Sequence, residues 1–294
     1  MNMTKQTELS YWQRVKIAFQ YVMPQLYLTQ LAGWLAKQKW GMVTQWGIKA
    51  FIKKYQVDMN EAKFPQVEHY ENFNAFFIRP LAENVRPINQ DPKALCLPAD
   101  GRISQCGHID EGLLLQAKGH FFQLKDLLAE DNELVETFKQ GDFVTTYLSP
   151  RDYHRVHMPC DGKLRKMIYV PGELFSVNPF LNRHIPNLLA RNERLICVFD
   201  TAFGTMVQIL VGATITASMS TVWSGVVNPP RSKEVKTWSY EGEQAIELKK
   251  GQEMGAFQLG STVINLFPAG AVQLADYLQV DSFVKVGEIM AYQQ

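Results

Sequence analysis

Apolar residues in the first part of the chain recur every three or four positions: Trp12, Val15, Phe19 and Val22, then Leu28, Leu31 and Leu35, then Val43, Trp46 and Ala50. This spacing predicts amphipathic helices over residues 10–55. Pro24 and Gly41 break the run into two or three of them. From about residue 95 the pattern changes to short runs rich in β-branched and aromatic residues, separated by turn dipeptides. Strands are expected at Phe143–Leu148, Leu164–Val170, Leu195–Phe199, Thr205–Val211, Ile215–Met219 and Val263–Phe267. The fold class is therefore α+β, with N-terminal amphipathic helices packed on a β-rich domain, divided into residues 1–70 and 71–294. No stretch of about 18 uninterrupted apolar residues occurs, so no membrane-spanning helix is expected.

Composition supports a globular chain: 46% of the 294 residues are hydrophobic and 20% charged. The net charge of +1 gives no global reason to bind nucleic acid, and none is expected as a partner. Its distribution is uneven. Residues 1–55 carry eight Lys/Arg against Glu8 alone, a net +7 that leaves −6 for the other 239 residues. Four of the six tryptophans, Trp12, Trp34, Trp40 and Trp46, lie in the same segment. A basic amphipathic segment with interfacial tryptophans fits one that lies on an anionic membrane surface. Each Lys or Arg there contributes about 1 kcal/mol. The competing reading is an ordinary helical cap with its tryptophans in the core. Cys96, Cys106, Cys160 and Cys197 form no CxxC pair and have no metal-ligand spacing. The N-terminus lacks the compact apolar core and small-residue cleavage site of a secretory signal. Reduced thiols in a cytosol-facing protein are expected.

The densest group of reactive side chains is the run Tyr147 to Pro159, which holds Arg151, Asp152, His154, Arg155 and His157. On one helical turn the two histidines would face the same way. As a metal pair they lack a third ligand at suitable spacing, and no metal is expected. Ser261 follows Gly260 inside the β-type run Phe257 to Phe267. Glycine leaves its carbonyl unshielded and tolerates strained backbone, so this serine could attack the peptide bond before it. A bulge or bend is the plainer reading of Gly-Ser in a strand. Asp100 sits in Pro98-Ala99-Asp100-Gly101, which Pro159-Cys160-Asp161-Gly162 echoes, and both are good turn sequences. Together a serine, a histidine and an aspartate supply a nucleophile, a base and an orienting acid. A serine hydrolase would use the same three, but no Gly-x-Ser-x-Gly elbow surrounds Ser261. A biotinyl or lipoyl carrier barrel would need an exposed lysine in a carrier motif at a hairpin tip, and none is found.

Several separated motifs decide among these readings. Asp100 in its turn, the run Tyr147 to Pro159 and Leu259-Gly260-Ser261-Thr262 closely resemble phosphatidylserine decarboxylase of the bacterial, pyruvoyl-dependent type. Further matches are Phe76-Phe77-Ile78-Arg79 with Arg86-Pro87, Pro171 to Asn178, and Lys250 to Phe257. The likeness runs in order from about residue 70 to the C-terminus, and the N-terminal helices match in character more than in motif. One departure is Ala217, where the pattern has a second glycine.

The resemblance implies that residues 71–294 are the catalytic domain and that Asp100, His157 and Ser261 form a self-cleavage triad. His157 would take the Ser261 proton and the hydroxyl would attack the Gly260 carbonyl, turning amide into ester. β-Elimination and loss of ammonia would then leave a covalent pyruvoyl group at position 261, the cofactor. The products would be a β chain of residues 1–260 and an α chain of 261–294, held together as a heterodimer, alone or in pairs. The pyruvoyl ketone would form a Schiff base with phosphatidylserine, CO₂ would leave, and phosphatidylethanolamine would result. His154 is assigned to decarboxylation, as proton donor or carboxylate-positioning group. Arg151 and Arg155 could bind carboxylate or phosphate, or form structural ion pairs. A peripheral place on the cytoplasmic face of the cell membrane, bound to anionic phospholipid, completes the expectation.

Overall fold

The computed structural model describes residues 9–117, 120–215, 218–228, 231–258 and 261–294. Ala217, Leu259 and Gly260, the last being the residue on the N-terminal side of the expected cleavage bond, lie outside the described residues.

Residues 10–55 form three helices, α1 (Tyr11–Val22), α2 (Gln25–Ala36) and α3 (Met42–Tyr55). Ser10 and Gln13 start α1 with a reciprocal capping box, each side chain bonded to the other's backbone amide. Met23 turns to extended backbone ahead of Pro24, as a pre-proline residue must, and ends it. Gly41, at φ +56°, makes the sharp entry to α3. Trp12, Trp34, Trp40 and Trp46 are 72, 55, 48 and 74% exposed, so they are surface groups and not the core of a cap. What α2 turns inward is small: Thr29, Gly33 and Ala36. The short helix α4 (Phe73–Phe77), capped by Asn72, receives α3. There Phe51 meets Phe73, Phe76 and Phe77 edge-on at 5.0 to 6.1 Å between ring centroids. Ile48, Val57, Val67, Tyr70 and Phe76 close a small core around that junction.

The strands are, in chain order, β1 (Ala94–Cys96), β2 (Gly101–His108), β3 (Leu113–Ala117), β4 (His120–Gln123), β5 (Asp142–Leu148) and β6 (Arg155–His157). Next come β7 (Gly162–Val170), β8 (Arg194–Thr201), β9 (Gly204–Val211), β10 (Met219–Thr221), β11 (Gly225–Asn228) and β12 (Lys236–Ser239). Then follow β13 (Ile246–Leu248), β14 (Glu253–Phe257), β15 (Ser261–Phe267), β16 (Val272–Leu274), β17 (Phe283–Val284) and β18 (Ile289–Gln293). The main sheet runs β12-β7-β8-β9-β15-β5-β2-β17, with β13 also on β7. A smaller one runs β11-β10-β14-β6.

Alternate side chains of the central strands enter two different cores. Leu195, Cys197, Phe199, Leu210 and Val263 face one; Ile196, Val198, Ile209, Val211 and Ile264 face the other. Both faces of the sheet are therefore dry, which is why these strands read as continuous apolar runs. Five expected strands are observed with small extensions at their ends. The sixth, Ile215–Met219, needs correction at its start, while residues 216–217 lie outside the described residues. Ile215 has φ +72° and lies in a turn, and the strand begins at Met219. A β-branched residue rarely adopts that conformation, so propensity misleads here.

Candidate functional site

The echo of two turn sequences has a spatial meaning. His157 N donates to Pro98 O and Cys96 N donates to Pro159 O, both at 2.8 Å, so the two segments pair with each other. Each turn then leads into a strand, β2 or β7. Their aspartates differ: Asp161 is on the surface with Lys249, while Asp100 is 6% exposed. Arg86 Nε bonds both carboxylate oxygens of Asp100 at 3.0 Å, its Nη2 bonds one of them, and Val286 N donates to the other at 2.9 Å. Arg86 also bonds Glu61 at 2.6 Å. That hydrogen bond, joined by a second from Lys285, outweighs partial burial and holds the Glu61 carboxyl down at about 2.

His157 ends β6. Its Nδ1 lies 2.8 Å from Gly251 O and its Nε2 3.0 Å from the Tyr153 hydroxyl. A carbonyl can only accept, so Nδ1 carries the proton and Nε2 accepts from Tyr153. Burial pushes the Tyr153 phenol up, keeping it a donor, and pushes the His157 imidazole down. No hydrogen bond joins Asp100, His157 and Ser261 among the described residues; the backbone pairing brings the first two into one neighbourhood.

His154 is fully buried. It precedes β6 in an irregular stretch, so the two histidines do not share a helical turn. Nδ1 lies 2.8 Å from Asp152 O and must donate to it, which leaves Nε2 as a bare acceptor; that atom has no partner among the described residues. The ring tilts against Phe77, 4.0 Å between centroids. Burial, helped by the positive charge of Arg79, pushes its pKa down to about 3, so the imidazole is neutral. The turn beneath it is held from several sides. Asp152 accepts from the amide and hydroxyl of Ser149, both at 2.7 Å. Arg79, buried over the Phe76 ring, donates from Nη2 to Arg151 O at 3.0 Å.

Ser261 is the first residue of β15, opposite Leu148 of β5. Its side chain is buried and Oγ has no partner among the described residues. It lies in the wall of a cavity of about 230 Å³, shared with Phe51 and Tyr55 of α3, Phe77, Leu148, the segment Ser176-Val177-Asn178 and the segment Ala213-Thr214-Ile215. Phe77 thus touches both the cavity and His154. A second hollow of about 330 Å³ is lined by Asp100, Tyr153, Arg79, Arg86, Arg151 and Lys285.

The two arginines left open by the sequence are settled in part. Arg155 is structural: Nη1 pairs with Glu253 at 2.8 Å and Nε donates to Ile78 O. Arg151 stands at the mouth of the second hollow beside Phe283, 3.7 Å from Asp152. Tyr153, Asp152, Arg86 and Arg79 line the second hollow, and the sequence by itself gives none of them a role. The signal is available for all four, since each stands inside a matched motif.

Comparison with known proteins identifies a family. The family profile described as phosphatidylserine decarboxylase matches residues 73–292, and a second profile, PSD, matches residues 15–56. The chain is 74% identical over 288 residues to the phosphatidylserine decarboxylase proenzyme of Haemophilus influenzae Rd, covering 98% of this chain and 99% of that one. Identity is 72% over 290 residues to the proenzyme of Pasteurella multocida, covering 99 and 98%. To that of Mannheimia succiniciproducens it is 70% over 294 residues and the whole of both chains.

Proposed function

The chain belongs to the phosphatidylserine decarboxylase family, and from that premise we propose that it matures by cutting itself before Ser261 and then converts phosphatidylserine to phosphatidylethanolamine. The observation that carries the reading is a buried serine hydroxyl without a partner among the described residues, in a mostly apolar cavity, with a neutral histidine bearing a bare Nε2 packed behind Phe77. A buried unpaired hydroxyl costs about 1–3 kcal/mol, and such groups persist where chemistry uses them.

In maturation, His157 accepts the Ser261 proton and Asp100 supports the resulting charge. The step requires His157 Nε2 to exchange its Tyr153 hydroxyl for Ser261. Oγ bonds to the Gly260 carbonyl carbon and the Gly260–Ser261 C–N bond breaks to give an ester. β-Elimination then releases Gly260 as a carboxylate and leaves dehydroalanine at position 261, whose imine tautomer is hydrolysed by water to the pyruvoyl group with loss of ammonia. That pyruvoyl group fits the site: its precursor hydroxyl spends no hydrogen bond among the described residues, and the surrounding wall is mostly apolar. When present it supplies an electron sink for the charge left by departing CO₂.

The residues of the chain do the rest. Phe77, Leu148, Phe51 and Tyr55 exclude water, so charge developing there is felt strongly. His154 Nε2 holds no proton in the resting site, so it acts first as acceptor. Beside the reacting centre it positions the departing carboxylate or, once protonated there, delivers the proton to Cα, the role of a general acid-base group. Residues 1–70 are the membrane-associating part and 71–294 the catalytic one. The exposed Trp12, Phe19, Tyr27, Trp34 and Trp46 sit on helices without any Asp or Glu, which suits a peripheral seat on anionic phospholipid at the cytoplasmic face. Among the described residues no helix is long and apolar enough to cross a membrane. The two fragments remain one body because β15 lies between β9 and β5.

Intact-mass measurement and electrophoresis of the purified protein test this. A 34-residue fragment, residues 261–294, should appear with the mass change of lost ammonia, and Ser261→Ala should abolish it. Active wild-type protein running as a single uncut chain would refute the maturation scheme. CO₂ release from phosphatidylserine vesicles, blocked by hydroxylamine, tests the second half.

A further inference from the structure

The N-terminal helices do more than face lipid. Three of their side chains accept hydrogen bonds from loop amides at or beside the rim of the Ser261 cavity. Gln20 accepts from Ser176 N at 3.1 Å, Gln25 from Leu174 N at 2.7 Å, and Thr29 from Ile215 N at 3.1 Å. These partners are 149 to 186 residues away in sequence. Ser176 and Ile215 both line the cavity. The Thr214 hydroxyl bonds Leu174 O and so ties one rim loop to the other.

Thr29 is 0% exposed, although its neighbours Tyr27, Leu31 and Trp34 are bare. A threonine inside a helix commonly turns its hydroxyl back to its own helix. Here the oxygen instead receives the amide of Ile215, a β-branched residue held at φ +72°. Such a backbone conformation persists only when its surroundings over-determine it. A helix built only to rest on lipid needs none of these contacts.

We infer that Thr29 and Gln25 are positioning residues for the substrate pocket. Through them the lipid-facing helices hold the 174–178 and 213–215 loops in the shape that admits the serine end of a phospholipid. Docking of α1 and α2 on a membrane and the shape of the pocket are then one coupled state. The inference rests on the cavity being the substrate pocket, as proposed above.

The test uses the full processed enzyme with dispersed short-chain phosphatidylserine, and anionic vesicles of phosphatidylglycerol as the lipid probe. Thr29→Val keeps the shape of threonine and removes the acceptor. It should raise KM about tenfold, equivalent to about 1.4 kcal/mol, with kcat within about twofold, and Thr29→Ser should restore KM. Self-cleavage and vesicle sedimentation should be unchanged, because Thr29 touches neither Ser261 nor lipid. Vesicles should slow amide exchange at 174–176 and 213–215 in the wild type and much less in Thr29→Val. Unchanged KM, equal change in KM and kcat, lost self-cleavage, or exchange indifferent to vesicles would each overturn the inference. Should Thr29→Val not fold, Gln25→Leu carries the same measurements. A wild-type enzyme that cuts itself yet releases no CO₂ would sink the proposed function instead, and is told apart by that alone.

Discussion

Replacing His154 by asparagine should change how the stability of this protein depends on acid. The imidazole is fully buried beside the Arg79 guanidinium, and burial first, then that charge, hold its pKa at about 3 against an ordinary 6.5. The hydrogen bond to Asp152 O works the other way and is outweighed. The folded state therefore binds fewer protons here than the unfolded state as soon as pH falls below 6.5. Stability from this group is complete above that value and drains away as pH falls towards 3. Each pH unit is worth about 1.4 kcal/mol. Between pH 7 and pH 4 the loss from His154 is thus about 3 kcal/mol. Asparagine does not titrate, so the gap between the two proteins should narrow by that amount at pH 4. The comparison belongs in the Ser261→Ala background, where one uncut chain unfolds instead of two fragments. Urea titrations at pH 7, 5.5 and 4 read it directly. Stability curves that run parallel across the range would refute the argument, because His154 would then be solvated or already charged.

Three further outcomes follow from the same geometry. Arg86→Met should destabilise the uncut chain by about 3–5 kcal/mol in a urea titration, since it strands the Asp100 carboxylate; Asp100→Asn in that background should recover part. His154→Ala should leave the 34-residue fragment forming while lowering kcat for CO₂ release by about 10²–10⁴-fold, the usual worth of a general acid-base group. Changing Lys37, Lys49, Lys53 and Lys54 together to Gln should weaken sedimentation with anionic vesicles and make what remains less sensitive to salt.

A good deal of this protein is legible in the chain alone. Period-3.6 spacing places helices over residues 10–55, broken into two or three at Pro24 and Gly41, and three are observed there. Nearly continuous apolar runs locate β8, β9 and β15, because a sheet buried on both faces leaves little polar alternation to confuse the reading. Asp100, His154, His157 and Ser261 are named from motifs, since the chemistry assigned to them needs those residue types at those places.

What each of them touches depends on the folded chain. Arg86 is fourteen residues from Asp100, and nothing in local spacing says that its guanidinium will fork onto that carboxylate. Two histidines three residues apart look equivalent in the chain. One lies against Phe77 with Nε2 bare, the other is bonded to Gly251 and Tyr153, because pKa and tautomer are set by burial and by partners distant in sequence. The turn at Ile215 reads as strand, for its propensity is β and the hydroxyl that holds it open comes from Thr29, on a helix 186 residues away. Local pattern reports which face of an element is dry. Which element covers that face, and what chemistry the meeting permits, is settled only when distant segments come together.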